Sequence, residues 1–258
     1  MTSAASVLAS ARASQRPALI GYFPLGFPTL TDSIDACVAM CEEGVDILEV
    51  GIPYSDPVMD GVVIQEATEQ ALSNGFKLAD AFKAVKEITS RVNTPILIMT
   101  YWNPVLQYGV ERFAVDSKTA GAAGLITPDL IPDEAADWLS VSDELGLERV
   151  FLATPSSTQE RVNATANISR GFVYCVSTMG ITGARQDLDS AARSVVGKVR
   201  SADSSQFAGV GIGVSTREQV EEIGTYADAA IVGSVFVKSY QSAGLDGLRS
   251  KVKEIAGR

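Results

Sequence analysis

The sequence predicts a (β/α)8 barrel: an α/β fold of the TIM-barrel class with an extra N-terminal helix and inserted short helices. Two observations support this prediction. The chain has 258 residues, close to the roughly 250 that such a barrel typically contains. Short β-branched or apolar segments alternate with longer amphipathic segments from end to end, as expected for parallel strands joined by crossover helices. No low-complexity linker divides the chain, so we predict a single domain over residues 1–258.

Eight strands and nine helices follow from this alternation, with one extra helix between the second and third strands. Eight βα units in a chain of this length favour a closed barrel over an open, doubly wound sheet. The strands are expected near 19–23, 47–51, 96–100, 124–126, 150–152, 172–176, 207–210 and 229–232. The helices are expected near 30–43, 62–73, 78–91, 110–120, 133–145, 158–167, 190–201, 216–225 and 234–242.

The N-terminal residues 1–16 are rich in Ser, Ala and Arg and contain no acid. This composition is typical of a transit peptide. The segment is short, however, and it equally fits a helix that closes the bottom of the barrel. We expect the helix.

Composition excludes several classes of function. The formal net charge is −10, which argues against a nucleic-acid partner because phosphate backbones require clustered Lys and Arg. No apolar run approaches the roughly 18 residues that cross a bilayer, so we expect a cytoplasmic protein with no membrane partner. The chain contains no histidine, which removes the commonest general base, the Ser-His and Cys-His nucleophile pairs and the usual catalytic zinc ligands. Carboxylates must therefore carry any proton transfer.

Two carboxylates stand out in the segment LEVGIPYSDPVMDG at residues 48–61. Glu49 lies at the end of the second predicted strand, and Asp60 lies in the loop that follows it. Burying a carboxylate is costly unless it has a partner or a use, and active sites of such barrels lie at the C-terminal ends of the strands. The alternatives are a structurally paired carboxylate at Glu49 and a helix N-cap at Asp60.

Further polar residues follow the other strands: Tyr101 and Asn103 after the third, Asp129 after the fourth, and Tyr174 on the sixth. Because polar residues gather in any loop, this observation alone is weak. Late in the chain, glycines follow the sixth, seventh and eighth strands, the last of them beside a serine. Glycine-bearing loops that open helices bind phosphate through backbone N–H groups, although each glycine could simply permit a tight turn. The three glycine-bearing segments are Thr182-Gly183-Ala184, Gly211-Ile212-Gly213 and Gly233-Ser234.

At this point the chain resembles the tryptophan synthase alpha subunit family. The segments that carry the resemblance are LEVGIPYSDPVMDG (48–61), MTYWNPV (99–105), GITGA (180–184), GVGIGVS (209–215) and IVGS (231–234). The resemblance implies a (β/α)8 barrel that cleaves indole-3-glycerol phosphate into indole and glyceraldehyde 3-phosphate by retro-aldol chemistry. It implies an α2β2 complex in which pyridoxal phosphate belongs to the beta subunit, with no cofactor in this chain. The family's first strand starts at a similar position, which we expect to leave no room for a cleaved transit peptide.

The resemblance also assigns roles to individual positions. It places the catalytic acids at Glu49 and Asp60, and Thr182 at the loop residue that bonds to Asp60 when the site closes. The loop from Pro53 to Asp56 is the predicted contact with the beta subunit, because it belongs to the same segment as Asp60. One departure, Thr178 and Met179 where some members carry Arg, puts the details of loop closure in question. The implied phosphate site is Gly183, Gly213, Gly233 and Ser234, and the implied indole pocket is Tyr22, Tyr101 and Tyr174.

The two carboxylates are expected to divide the chemistry. Glu49, flanked by apolar Leu48 and Val50, should have a pKa raised by desolvation and act as the proton shuttle. Asp60, on a more polar loop, should stay ionised and accept the indole N–H.

Rival functions remain open. A Schiff-base aldolase needs a lysine facing the barrel interior, and a metal aldolase normally needs histidine ligands; both are disfavoured. A phosphate-sugar isomerase or epimerase, and a non-catalytic ligand-binding activator subunit, are the remaining alternatives.

Overall fold

The computed structural model describes residues 2–176, 185–211 and 213–257. Within these residues, nine parallel strands form one sheet in the order β5-β4-β3-β2-β1-β9-β8-β7-β6. The two ends of this order, β5 and β6, are separated in the chain by Phe151 alone, so they are two halves of one barrel strand and the sheet closes. The strands are β1 (Ala18–Pro24), β2 (Ile47–Gly51), β3 (Ile96–Met99), β4 (Gly124–Ile126), β5 (Glu148–Val150), β6 (Leu152–Ala153), β7 (Val173–Val176), β8 (Ala208–Gly211) and β9 (Ala229–Val232).

The predicted barrel class is therefore confirmed. The fifth strand, expected at 150–152, lies instead on both sides of Phe151. Helices surround the sheet, and two of them, α3 and α4, separate β2 from β3 as predicted. The helices are α1 (Ala4–Ala13), α2 (Leu30–Glu42), α3 (Val62–Ser73), α4 (Leu78–Arg91), α5 (Trp102–Tyr108), α6 (Val110–Ala120), α7 (Ala136–Leu145), α8 (Gln159–Ile168), α9 (Arg185–Ala202), α10 (Arg217–Gly224) and α11 (Ser234–Ala256), with a 3-10 turn at Pro132–Glu134.

Three helices differ from the sequence-based expectation. Helix α5 was not expected. Its Pro104 is at the third helical position, where a proline removes only an N–H that has no intrahelical acceptor. Helix α9 begins five residues before the expected Ser190, since no glycine or proline marks a boundary between Arg185 and Ser190. Helix α11 continues beyond its expected end at residue 242, after a kink at Ala243 and Gly244.

Side chains alternate between the barrel interior and the surrounding helices along each strand. On β1, Leu19 packs under the helices and Ile20 packs inside the barrel. On β2, Ile47 is likewise interior, and Glu49, two residues further along, therefore faces the same way at the C-terminal end. This end of the barrel is called the barrel mouth below.

Helix α1 closes the opposite end. Its residues Ala4, Leu8 and Ala11 are fully buried and belong to the interior cluster. The carboxylate of Glu148 accepts hydrogen bonds of 2.8 Å from the backbone N–H groups of Ala4 and Ala5, where the helix dipole favours negative charge. The expectation of a helix that closes the barrel bottom is confirmed. Across the described ranges, no helix is long and apolar enough to cross a membrane.

Candidate active site

Glu49 lies inside the barrel mouth. It stands opposite Tyr22 of β1 and Leu97 of β3 in the parallel register, and only 3% of its surface is exposed. Its Oε2 atom is buried and has no hydrogen-bond partner among the described residues. Burial, followed by the negative charge of Asp60, raises the pKa of Glu49 to about 8. A buried carboxyl group with a spare oxygen is suited to carrying a proton rather than to holding the fold together.

Asp60 lies at the end of the loop between β2 and α3. Gly61, not Asp60, is the N-cap of α3, and this N-cap makes no side-chain hydrogen bond; the capping alternative for Asp60 is therefore wrong. Helix α3 holds the end of this loop, because Gln65 Nε2 donates to the backbone carbonyl of Asp60 at 2.8 Å. Burial raises the pKa of the Asp60 carboxyl to about 6. The expectation of a polar setting needs correction: Asp60 is substantially desolvated, although it remains mostly ionised at neutral pH.

Three tyrosines gather around the two carboxylates. Burial, followed by the charges of the two carboxylates, raises the pKa of both Tyr22 and Tyr174 well above the ordinary value. Burial and the charge of Asp60 raise the pKa of Tyr101 as well. These shared electrostatic effects require short distances, so residues from β1, β2, β7 and two loops meet at one place. All three phenols stay protonated at neutral pH and offer flat, largely apolar faces with a hydrogen-bond donor at the tip.

Inward-facing glycines at the strand ends make room for these rings. A Cβ on Gly51 would lie 2.2 Å from the hydroxyl oxygen of Tyr22, and one on Gly211 would lie 2.5 Å from that of Tyr174. A Cβ on Gly233 would lie 3.1 Å from the Tyr22 ring. Contacts as short as the first two do not occur between real atoms, so the ring positions require glycine at residues 51 and 211. This clearance was not predicted, although the glycines at the strand ends were visible in the sequence.

The proposed phosphate residues after β8 and β9 lie on neighbouring strand ends. Gly213 has φ +54°, the left-handed conformation that favours glycine, and open space where a Cβ would stand. Gly233 is the N-cap of α11 and Ser234 is its first residue; the N-cap makes no side-chain hydrogen bond. This helix end is therefore left without a side-chain acceptor of its own. Gly183 and Thr182, together with Thr178 and Met179, lie outside the described residues.

The remaining predicted positions have clear locations. Pro53 is buried and Asp56 is exposed in the loop after β2. Asp129 has a structural role, because its carboxylate accepts from the backbone N–H of Trp102 at 2.8 and 3.1 Å and so caps α5. Asn103 is exposed and donates to the hydroxyl of Tyr54 at 3.1 Å.

Tyr54 also lies beside the site; the sequence analysis included it only within the predicted contact loop from Pro53 to Asp56 and not among the tyrosines of the indole pocket. Its ring lies 5.3 Å from that of Tyr101 between centroids, and no periodicity marks such a residue in an irregular loop. Proximity to Asp60 in the chain was the only available signal.

Other reaction classes find little support in these side chains. Seven lysines lie on helices and Lys77 precedes α4, so none faces the barrel interior. No group of three or more Cys, Asp or Glu side chains in the described part of the chain is arranged to hold a metal ion.

Comparison with known proteins places the chain in one family. The family model described as "Tryptophan synthase alpha chain" matches residues 8–256. The tryptophan synthase alpha chain of Leifsonia xyli subsp. xyli is 60% identical over 245 residues, which cover 95% of this chain and 94% of the relative. That of Mycobacterium marinum is 55% identical over 247 residues, covering 96% and 91%.

Solved structures agree. A structure of Mycobacterium tuberculosis tryptophan synthase superimposes with a TM-score of 0.93 at 50% identity, covering 100% of this chain and 98% of that chain. A chain of the tryptophan synthase complex from Pyrococcus furiosus superimposes with a TM-score of 0.84 at 34% identity, covering 93% and 98%. The fold is thus shared with relatives that differ at most positions.

Proposed function

Because this chain belongs to the tryptophan synthase alpha chain family, we propose that it cleaves indole-3-glycerol phosphate into indole and glyceraldehyde 3-phosphate. The observation that supports this most directly is the pair of unlike carboxyl groups in the barrel mouth. With pKa values of about 8 and about 6, Glu49 is mostly protonated and Asp60 mostly ionised at neutral pH. The pair therefore offers a proton donor and a negative charge side by side.

The proposed reaction uses both states. Protonated Glu49 donates its proton to the indole carbon that bears the side chain, and the ring nitrogen then carries positive charge. The side-chain hydroxyl loses its proton to the Glu49 carboxylate as the carbon–carbon bond breaks, which forms the aldehyde and returns Glu49 to its starting state. Asp60 accepts the indole N–H in a hydrogen bond that strengthens as the ring becomes cationic, so it favours the transition state over the ground state.

The surrounding residues are proposed to orient the substrate. Tyr22, Tyr101 and Tyr174 would hold the flat indole ring by stacking and edge contacts. The phosphate would lie at the N-terminus of α11, where the backbone N–H groups near Gly233 and the hydroxyl of Ser234 would donate to it. In a chain of net charge −10, such local dipoles must offset a long-range repulsion that salt largely screens. Gly213 and Gly183 complete the proposed phosphate site, and Thr182 is proposed to close over Asp60.

We further propose a beta-subunit partner in an α2β2 complex, with pyridoxal phosphate held by that partner, no cofactor in this chain, and a cytoplasmic location. Exposed apolar side chains follow three neighbouring strands at the barrel mouth: Val58 after β2, Leu106 on α5 after β3, and Ile131 after β4, which are 78%, 53% and 42% exposed. Val58 lies two residues after the proposed contact loop from Pro53 to Asp56. Large exposed apolar residues grouped at one rim are typical of a protein–protein interface.

An indole-release assay tests the proposal. The purified chain should produce indole from indole-3-glycerol phosphate, and Glu49→Gln should reduce the rate by about 10²- to 10⁴-fold, the usual worth of a general acid–base group. Substrate binding should persist in Glu49→Gln, since the neutral amide has nearly the same shape as the protonated acid. Turnover of a phosphate sugar without indole release would favour the isomerase alternative. Binding without turnover in the wild type, with or without a beta subunit, would favour the activator alternative.

A further inference from the structure

The loop that carries Asp60 is fastened to the barrel mouth by a tyrosine hydroxyl. The backbone N–H of Met59, the residue immediately before Asp60, donates a 2.9 Å hydrogen bond to Tyr101 Oη. Other contacts reach the loop from neighbouring helices: Gln65 Nε2 donates to the carbonyls of Pro57 and Asp60, and Asn103 Nδ2 donates to the Tyr54 hydroxyl. None of these binds Met59, whose N–H is held by Tyr101. The Tyr101 contact joins the loop to the segment that follows β3. It lies one residue from the proposed catalytic carboxylate.

Tyr101 is itself rigidly held. It is 3% exposed and is the N-cap residue of α5. The next backbone N–H, of Trp102, is bound by the Asp129 carboxylate, which fixes the main chain at this point. The Tyr54 ring packs against the Tyr101 ring at 5.3 Å between centroids, and the Tyr54 hydroxyl accepts from Asn103 Nδ2 at 3.1 Å. The phenol therefore has little freedom to move away from the loop.

We propose that Tyr101 is a positioning residue for the reaction: its hydroxyl holds Met59, and through it the carboxylate of Asp60, at the distance the indole N–H requires. This role is separate from the stacking role of the Tyr101 ring, and it rests on the proposed function only for its kinetic consequence. Small displacements of a catalytic group cost rate because the transition state tolerates little misplacement. The hydroxyl and the ring can be separated experimentally, since phenylalanine keeps the ring and removes the acceptor.

Tyr101→Phe is the test variant. In the free protein, amide hydrogen exchange at Met59 should become about tenfold faster, the change expected for the loss of one hydrogen bond of ordinary net strength. In the indole-release assay, kcat should fall about tenfold, whereas KM should change less than threefold because the ring remains. Tyr54→Ala, which removes the ring that holds Tyr101 in place, should change Met59 exchange in the same direction.

Tyr108→Phe is the matched control. Tyr108 is the last residue of α5, the helix whose N-cap is Tyr101. Its hydroxyl donates to Asp116 rather than contacting the loop, so Met59 exchange and both kinetic constants should stay at wild-type values. Unchanged Met59 exchange in Tyr101→Phe would show that the Tyr101 hydroxyl does not hold Met59. Faster exchange with an unchanged kcat would overturn the positioning role. A wild-type protein that releases no indole would overturn the proposed function instead. The exchange measurement is made without substrate and would still show whether the Tyr101 hydroxyl holds Met59.

Discussion

The hydroxyl oxygen of Tyr22 lies over Gly51, only 2.2 Å from the position that a Cβ on that residue would occupy. Glu49, which stands opposite Tyr22 in the sheet register, is two residues before Gly51 and faces the same side. The glycine thus lets an aromatic ring cross from β1 to β2 above the buried carboxylate. One strand end supplies both the proton carrier and the space for the ring that covers it.

Gly51→Ala should disturb this arrangement with little effect elsewhere. The new methyl group must displace the Tyr22 side chain, because three of its atoms lie within 2.7 Å of the added carbon. We expect kcat/KM for indole release to fall about 10- to 100-fold and the free energy of unfolding to drop by about 1–3 kcal/mol, the usual range for overpacking. The checks are steady-state kinetics and urea unfolding. Adding Tyr22→Leu should recover most of the lost stability but not the activity.

Gly197→Ala is the control for this substitution. Gly197 lies exposed within α9, and nothing stands within 4 Å of the point where a Cβ would be added. Alanine should therefore leave activity unchanged and raise stability by about 0.5–1 kcal/mol through helix propensity. Equal loss of activity in both variants would contradict a specific role for the space above Gly51.

The pKa of Glu49 makes stability depend on pH in a defined direction. Its pKa is about 8 in the folded chain against an ordinary value of 4.5, so the folded state binds more protons than the unfolded state between those values. Stability should therefore fall as pH rises through this window. Glu49→Gln removes the titration. Urea unfolding at pH 5 and pH 9 should show the variant close to wild type at pH 5 and more stable at pH 9, by an amount on the order of a few kcal/mol. A variant less stable than wild type at pH 9 would contradict an unpaired buried carboxylate.

The pH dependence of cleavage should be bell-shaped. The rate should decline below a pH of about 6, as Asp60 gains a proton, and above about 8, as Glu49 loses one. The measurement is kcat/KM for indole release between pH 5 and 10. In Asp60→Asn, the removal of a nearby negative charge should lower the Glu49 pKa, which carboxyl-labelled NMR can follow without turnover. An unmoved Glu49 titration would show that the two groups do not interact.

A negative charge introduced at the start of α11 tests the phosphate site. Ser234→Asp places a carboxylate at the helix N-terminus, where it stabilises the helix but repels a phosphate. We expect KM for the substrate to rise at least tenfold, with no loss of thermal stability. Ser242→Asp adds the same charge to an exposed position further along α11 and should leave KM near the wild-type value. Inhibition by inorganic phosphate should weaken in parallel with substrate binding in Ser234→Asp only.

The strand positions were predictable, because short apolar segments alternate with amphipathic ones along the chain. Glu49 and Asp60 were predictable as candidates, because they lie at a strand end and in the loop after it, and the chain has no histidine to carry a proton. Details that depend on three-dimensional contact were not. Helix α5 was missed because its 7 residues are too few for a helical period to stand out in the sequence. The packing of Tyr54 against Tyr101 was missed because an irregular loop has no period. The burial of Asp60 was underestimated for the same reason: a loop whose composition is polar folds into an enclosed mouth.

The proposed beta-subunit partner predicts that the exposed apolar side chains Val58, Leu106 and Ile131 contribute to association. Leu106 is 53% exposed on α5 beside the barrel mouth. Leu106→Asp should weaken association with a beta subunit by at least tenfold, because a buried unpaired charge is costly at an interface core. Cleavage by the isolated chain should be unchanged, and only the response to added beta subunit should be lost. Analytical ultracentrifugation and beta-subunit titration of the indole-release rate provide the two measurements. Val115→Asp, on the outer helix α6 at a position 42% exposed, is the control: an equal loss of association there would show that the rim after β2, β3 and β4 is not the docking surface.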